Sequence, residues 1–298
     1  MPGELHEVPW VDFEHNRSEV LALARKKGTH LLMLNADETL NVRGEWPARI
    51  DSDACLLRYE GVLDYQLPLL VRSDLPWRFV GVTHEYLDCP QKVTYGGFPG
   101  FTIRHHFDGG MRADKFQRDL RLLTAALERE PGNARHMFYL AQTYRDIGLG
   151  YQALQWYERR AEVEPAGEEV WYALYQAAKI RGESCLPWEA VLSAYLKAYE
   201  YRPSRLEPLY HVARHYRLRG QFALGWVFAR ACQAIAYPED LLFIERDVYH
   251  WKLPWEYALC CQGAGQAAEA GRIYDGLLAS SILPDTIRES IAELRSKC

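Results

Sequence analysis

Proline and glycine recur through the second part of this chain at a nearly fixed interval, and that periodicity limits its folding more than any other feature. Pro131, Pro165, Pro203 and Pro238 are spaced by 34, 38 and 35 residues, and Gly148, Gly182 and Gly220 keep pace at 34 and 38. Between these marks the apolar residues follow a helical period, so each interval reads as helix, glycine turn, helix, proline stop. The stretches MFYLAQTYRDIGLGYQALQWYERRAEVEP and PLYHVARHYRLRGQFALGWVFARACQAIAYP share that layout. Ala141, Ala153, Ala213 and Ala223 stand where paired helices approach closely, and Tyr144, Trp156, Tyr157, Tyr216, Trp226 and Phe228 are expected to fill the gaps. One such hairpin cannot bury its apolar face alone, but stacked neighbours can.

A period near 34 with one helical hairpin per unit is that of the tetratricopeptide repeat. The match is closest over 133–165 and is stretched by insertions beyond it, and helices at 256–279 and 284–297 are expected to complete the stack. Residues 113–298 are therefore expected to form a tetratricopeptide-like α-solenoid. Its Trp and Tyr stripe is mostly core, and its groove offers a surface for a protein partner.

Residues 1–112 have a different grammar, with short apolar runs between Gly, Pro and Asp. Candidate strands are 30–34, 54–59, 66–71, 78–83 and 101–105, preceded by one helix from Arg17 to Lys27 with Val20, Leu21, Leu23 and Ala24 on one face. The expected fold class is thus α/β plus all-α, a mixed sheet followed by helical repeats. A formal charge of −5 with no basic block disfavours nucleic acid as a partner. Seven cysteines without a CxxC read as reduced thiols, with Cys232, Cys260 and Cys261 acting as small hydrophobes on helices. No apolar stretch is long enough to span a membrane and the amino terminus has no signal-peptide pattern, so the expected location is cytoplasmic.

Polar clusters in this first half carry the candidate chemistry. Leu31-Leu32-Met33-Leu34 ends abruptly in Asn35-Ala36-Asp37-Glu38, and a carboxylate at the end of a buried strand suits a hard cation that also holds substrate phosphates. A polar turn after a core strand would read the same way. Glu85, in Thr83-His84-Glu85, follows an apolar run and could act as a general base if partly buried, although on its own the His-Glu pair reads more readily as a surface loop. His105 and His106 precede Gly109-Gly110, and adjacent histidines on extended chain point to opposite faces, so one of them could join a given metal. Arg112 and Lys115 flank the start of a helix, where cations and free amides suit a diphosphate.

Taken in order, VDFEHNRSEVLALARKKGTHLLMLNADETL, RFVGVTHEYL and IRHHFDGGMRADKFQRDLRLL resemble the family 2 glycosyltransferases of the GT-A fold. The helical part beginning NARHMFYLAQTYRDIG resembles the branch that carries C-terminal tetratricopeptide-like repeats. The resemblance implies a partial GT-A domain over residues 1–112 that transfers a sugar from a nucleotide-sugar donor to a saccharide, peptide or protein acceptor. It implies Mn²⁺ or Mg²⁺ held by Asp37 and by His106 or His105, with Glu85 as the base that activates the acceptor. Asn35, Arg112 and Lys115 would lie against the donor diphosphate.

Two departures separate the chain from that pattern. Asn35 stands where the metal motif has its first Asp, and the β-α-β segment that holds the nucleotide is expected ahead of Arg17, where 16 residues cannot build it. The alternative is a catalytically silent repeat scaffold that binds a peptide or protein. A separate chain supplying the missing segment is a third arrangement.

Overall fold

The computed structural model describes residues 3–60, 66–106, 114–240 and 242–297. The chain divides into two compact units, Met1–Gly148 and Leu149–Cys298. The expected change of grammar at residue 112 falls where the last strand, ending at His105, gives way to a helix beginning at Lys115. That change of secondary structure and the division into compact units do not coincide.

The first unit opens with α1 (Phe13–Ala24), then β1 (His30–Leu32), β2 (Glu38–Val42), β3 (Ala54–Glu60), β4 (Gln66–Arg72), β5 (Arg78–Val80), β6 (Tyr86–Asp88) and β7 (Tyr95–His105). Helices α2 (Lys115–Arg129) and α3 (Ala134–Asp146) follow. Five strands form one sheet in the order β1-β4-β3-β7-β2, and β5 and β6 form a separate two-stranded ribbon. The large sheet is mixed: β3 and β7 run parallel, and the other pairs are antiparallel.

Alternation assigns the strand side chains to two cores. Cys55, Leu57 and Tyr59 join Phe98, Phe101 and Ile103 on one, with Leu32 packed against it. Leu31 and Met33 turn instead toward Leu21, Val71, Trp77 and Phe79.

Several details differ from the sequence expectation. Helix α1 starts four residues before Arg17 because Asp12 caps it, its Oδ1 accepting from the His15 amide at 2.8 Å. Of its four apolar candidates only Leu21 is buried, and Val20 and Leu23 face a cavity shared with Gly3, Glu4 and His6. Strand β1 lies at a sheet edge, antiparallel to β4, so the Asn35–Asp37 segment is a turn into β2 rather than the carboxyl end of a parallel strand.

The second unit contains α4 (Gly150–Ala161), α5 (Glu168–Glu183), α6 (Trp188–Tyr201), α7 (Glu207–Leu218), α8 (Phe222–Ala231), α9 (Leu253–Gly263), α10 (Ala267–Ala279) and α11 (Asp285–Arg295). Helices α5/α6, α7/α8 and α9/α10 pack as successive hairpins, and the first helices α7 and α9 also touch. Leu206, Leu209, Ala229, Val248, Tyr257 and Tyr274 belong to a core that runs across the last two pairs.

The glycine marks behave as the periodicity predicts at Gly148 and Gly220, with φ of 78° and 72°, values open to glycine without a Cβ clash. Gly182 does not. It lies inside α5, where it lets Val191 of α6 come close, and Cys185 takes the left-handed turn at φ 57°. The expected 256–279 helix is broken into α9 and α10 at Gly265, φ 79°. Ala223 is exposed, and the close approach falls to Gly225, where an added Cβ would meet Cys260 Sγ at 2.8 Å and the Ala213 carbonyl at 3.1 Å. Cys232, Cys260 and Cys261 are free and buried as expected, and burial raises their thiol pKa values to about 12, 12 and 11.

Candidate functional site

In the first unit the polar residues converge through Arg17, on the middle of α1. Its Nε lies 2.9 Å from Glu85 Oε1, and its Nη2 donates to the Asn35 amide oxygen. Asn35 in turn donates from Nδ2 and from its backbone amide to the two oxygens of Glu38, each at 2.8 Å, and Tyr59 donates to Glu38 Oε1 at 2.9 Å. Glu85 is thereby held beside the Asn35 turn, with its side chain only 11% exposed.

The loop carrying Glu85 is pinned from both sides. His84, at φ 51°, stacks on Tyr139 with ring centroids 4.3 Å apart, and its carbonyl accepts from Arg135 Nη2 at 2.6 Å. The Arg135 guanidinium also lies over the rings of Tyr86 and Tyr139. A residue in the left-handed region persists only where its surroundings hold it, and here α3 supplies them.

Asp37 meets His105, not His106: His105 Nε2 lies 3.0 Å from Asp37 Oδ2, whereas the His106 ring bonds to Thr39 Oγ1 at 2.6 Å. The two rings diverge because successive side chains of extended chain alternate; His105 pairs with Glu38 across the sheet, and Asp37, in the turn just ahead of β2, directs its carboxylate to the His105 ring. Among the described residues no three His, Cys, Asp or Glu side chains are gathered to hold a metal. Asp37 and His105 are hydrogen-bonded to each other and together make two possible donors. Lys115 sits at the start of α2 beside the Phe116 ring. Arg112 lies outside the described residues. Arg17, Arg135 and Tyr139 were not singled out by sequence, since no local pattern links a helix residue to a loop so far along the chain.

In the second unit a different site emerges. The connections α4–α5 and α6–α7 span residues 162–167 and 202–206, but between α8 and α9 residues 235–247 intervene before a π-helical turn, Val248–Lys252. Part of that insertion lies on the face formed by α5 and α7. The Phe243 ring stacks on Tyr172 at 4.1 Å, the Leu242 amide donates to Glu168 at 2.6 Å, and Glu245 accepts from Tyr175 at 2.9 Å and Lys179 at 3.2 Å. Below them Arg205 is fully buried under the Trp171 ring. It donates to Glu207, to Asp240 and to the carbonyls of Leu242 and Phe243. Arg202 grips Asp240 through two nitrogens.

Burial works against the Glu245 carboxylate, but Lys179 and Tyr175 outweigh it and hold its pKa below the ordinary value. Burial lowers the His211 imidazole to about 4, so it is neutral at physiological pH. Its Nε2 lies 2.8 Å from the Tyr175 hydroxyl, and its ring stacks on Tyr195. The sequence signal for this site was the longer interval between α8 and α9, which periodicity alone presents as an insertion.

No family model and no curated protein matches the chain. Among the solved structures similar to it is MamA, 16% identical with a TM-score of 0.44, covering 62% of this chain and 92% of that one. Another is YrrB, described as a TPR protein with an unusual peptide-binding site, 15% identical, TM-score 0.44, covering 62% and 85%. A third is a thermophilic TPR protein of Thermus thermophilus, TTC0263, 18% identical, TM-score 0.40, covering 60% and 90%. No helix among the described residues is long and apolar enough to cross a membrane.

Proposed function

We propose that this chain is a helical-repeat scaffold that binds a peptide or protein partner. The observation that carries the reading is the α5/α7 face, which holds residues 242–245 by the means a peptide site uses. Backbone carbonyls accept from a buried arginine, a ring sits on a tyrosine, and a carboxylate meets a lysine. Stacked repeats present such extended surfaces because each hairpin contributes one helix to a common side.

Selection of a displayed random-peptide library on the full chain tests the reading, with hydrogen exchange locating the bound peptide. Peptides that protect amides of the second unit are expected. Failure to select any peptide, or protection confined to residues 13–106, would reject it.

A second reading, transfer from a nucleotide-sugar donor, is favoured by one specific observation: Arg17 brings Asn35 and Glu85 together, with the Asp37–His105 pair on the same turn. In that reading Glu85 accepts the proton of the acceptor hydroxyl, and Arg17 orients its carboxylate. Asp37 and His105 would hold Mn²⁺ or Mg²⁺, which offsets diphosphate charge when bound. Calorimetry with uridine, guanosine and thymidine diphosphate sugars, with and without Mn²⁺, tests it. Absence of binding under every condition removes this reading and leaves the scaffold.

A further inference from the structure

We infer that the α5/α7 face is a peptide site already occupied by the chain's own residues 242–245, and that its external ligand is an acidic peptide, bent as these residues are, with an aromatic residue two positions ahead of a carboxylate. The inference rests on the scaffold reading and specifies its partner.

The anchor and the occupant differ in kind. Asp240 is clamped by Arg202 and Arg205 and is nearly inaccessible, its side chain 6% exposed. Residues 242–245, in contrast, are exposed or half-buried, and Phe243 holds a left-handed backbone at φ 57° without being glycine. A bulky residue there is strained, so its ring stack and carbonyl contacts must offset that strain for the segment to stay down. The inserted segment can therefore lift while Asp240 remains in place.

The contacts left behind define what replaces it. Arg205 is wholly buried and directs N–H groups at the carbonyls of Leu242 and Phe243. A buried guanidinium needs those acceptors returned, and a peptide backbone bent as at Phe243 supplies two neighbouring carbonyls on one side, whereas a flat protein surface does not. Tyr172 takes a ring, and Lys179 with the Tyr175 hydroxyl takes a carboxylate. Glu168 takes a backbone N–H, which again selects a main chain.

The test uses the full chain and a fluorescent, acetylated and amidated peptide with the sequence of residues 242–247, Leu-Phe-Ile-Glu-Arg-Asp. The double variant Phe243→Gly, Glu245→Gln removes the ring and the charge while glycine tolerates the backbone angle. It is expected to bind the peptide at least tenfold more tightly than the wild type, and adding Lys179→Ala is expected to reverse the gain. Equal binding by wild type and double variant, or no binding by a double variant with wild-type helical circular dichroism, would overturn the inference.

Hydrogen exchange on the wild type reads the same opening without any substitution. The amides of residues 242–245 are expected to exchange at least tenfold faster than those within α5 and α7, and equal protection would overturn the inference. A library peptide that binds the wild type only through other helices of the second unit would leave the scaffold reading standing and overturn this one.

Discussion

Arg17 and Glu85 face each other at 2.9 Å, joining the first helix to the loop between β5 and β6. The pair is unequal, since the arginine is about one-third exposed and the glutamate nearly buried. Arg17→Leu should destabilise the chain by about 1 kcal/mol, the discounted cost of leaving a mostly desolvated carboxylate without its partner. Glu85→Gln, which keeps a hydrogen-bond acceptor and removes the buried charge, should cost less. Urea melts of the two variants check the order, and a costlier Glu85→Gln would show that the pair does not hold the loop.

The Asp37–His105 pair makes a metal prediction that separates neighbouring histidines. Mn²⁺ should raise the melting temperature of the wild type, by the equivalent of about 2.7 kcal/mol when the ion is at 100 times its dissociation constant. Asp37→Ala and His105→Ala should abolish the shift. His106→Ala should keep it, because that ring is turned to Thr39. An unchanged shift in Asp37→Ala assigns the pair a purely structural role.

Two glycines predict opposite outcomes for the same change. Gly276, inside α10, has open space around its missing Cβ, so Gly276→Ala should stabilise by about 0.5–1 kcal/mol through reduced backbone freedom of the unfolded chain. Gly225→Ala drives its methyl into Cys260 and the Ala213 carbonyl and should destabilise by about 1–3 kcal/mol. Thermal denaturation followed by circular dichroism measures both.

His211 gives the fold a pH dependence of known sign. Its folded pKa, about 4, lies below the unfolded value of 6.5, so the unfolded chain binds the proton first as pH falls. Stability should be unaffected by this group above pH 6.5, decline between pH 6.5 and 4, and level off below. At about 1.4 kcal/mol per unit the full loss is about 3 kcal/mol. His211→Gln should flatten that window in denaturant titrations at stepped pH, and an unchanged slope would refute the assignment.

Much of the architecture follows from local pattern. Helical period with Pro and Gly punctuation specifies the paired helices, because each hairpin needs only its neighbours to bury its apolar face. The strand runs at 54–59 and 66–71 reappear as β3 and β4, since a short apolar run bounded by turn residues is also a local signal. Asn35, Glu85 and Asp37 could be marked as polar residues ending apolar runs for the same reason.

What the tertiary structure alone decided are the choices between residues that look alike in sequence. His105 rather than His106 meets Asp37 because Asp37 lies in the turn ahead of β2, outside the paired strands, where strand alternation does not place its side chain. Gly225 rather than Ala223 marks the close approach because α8 turns that side toward Cys260. Arg17 reaches Glu85, and Arg205 reaches the carbonyls of the inserted segment, through contacts between elements that no local period relates. Period and composition state which faces are buried; only the packing of one element on another states which polar groups those faces bring together.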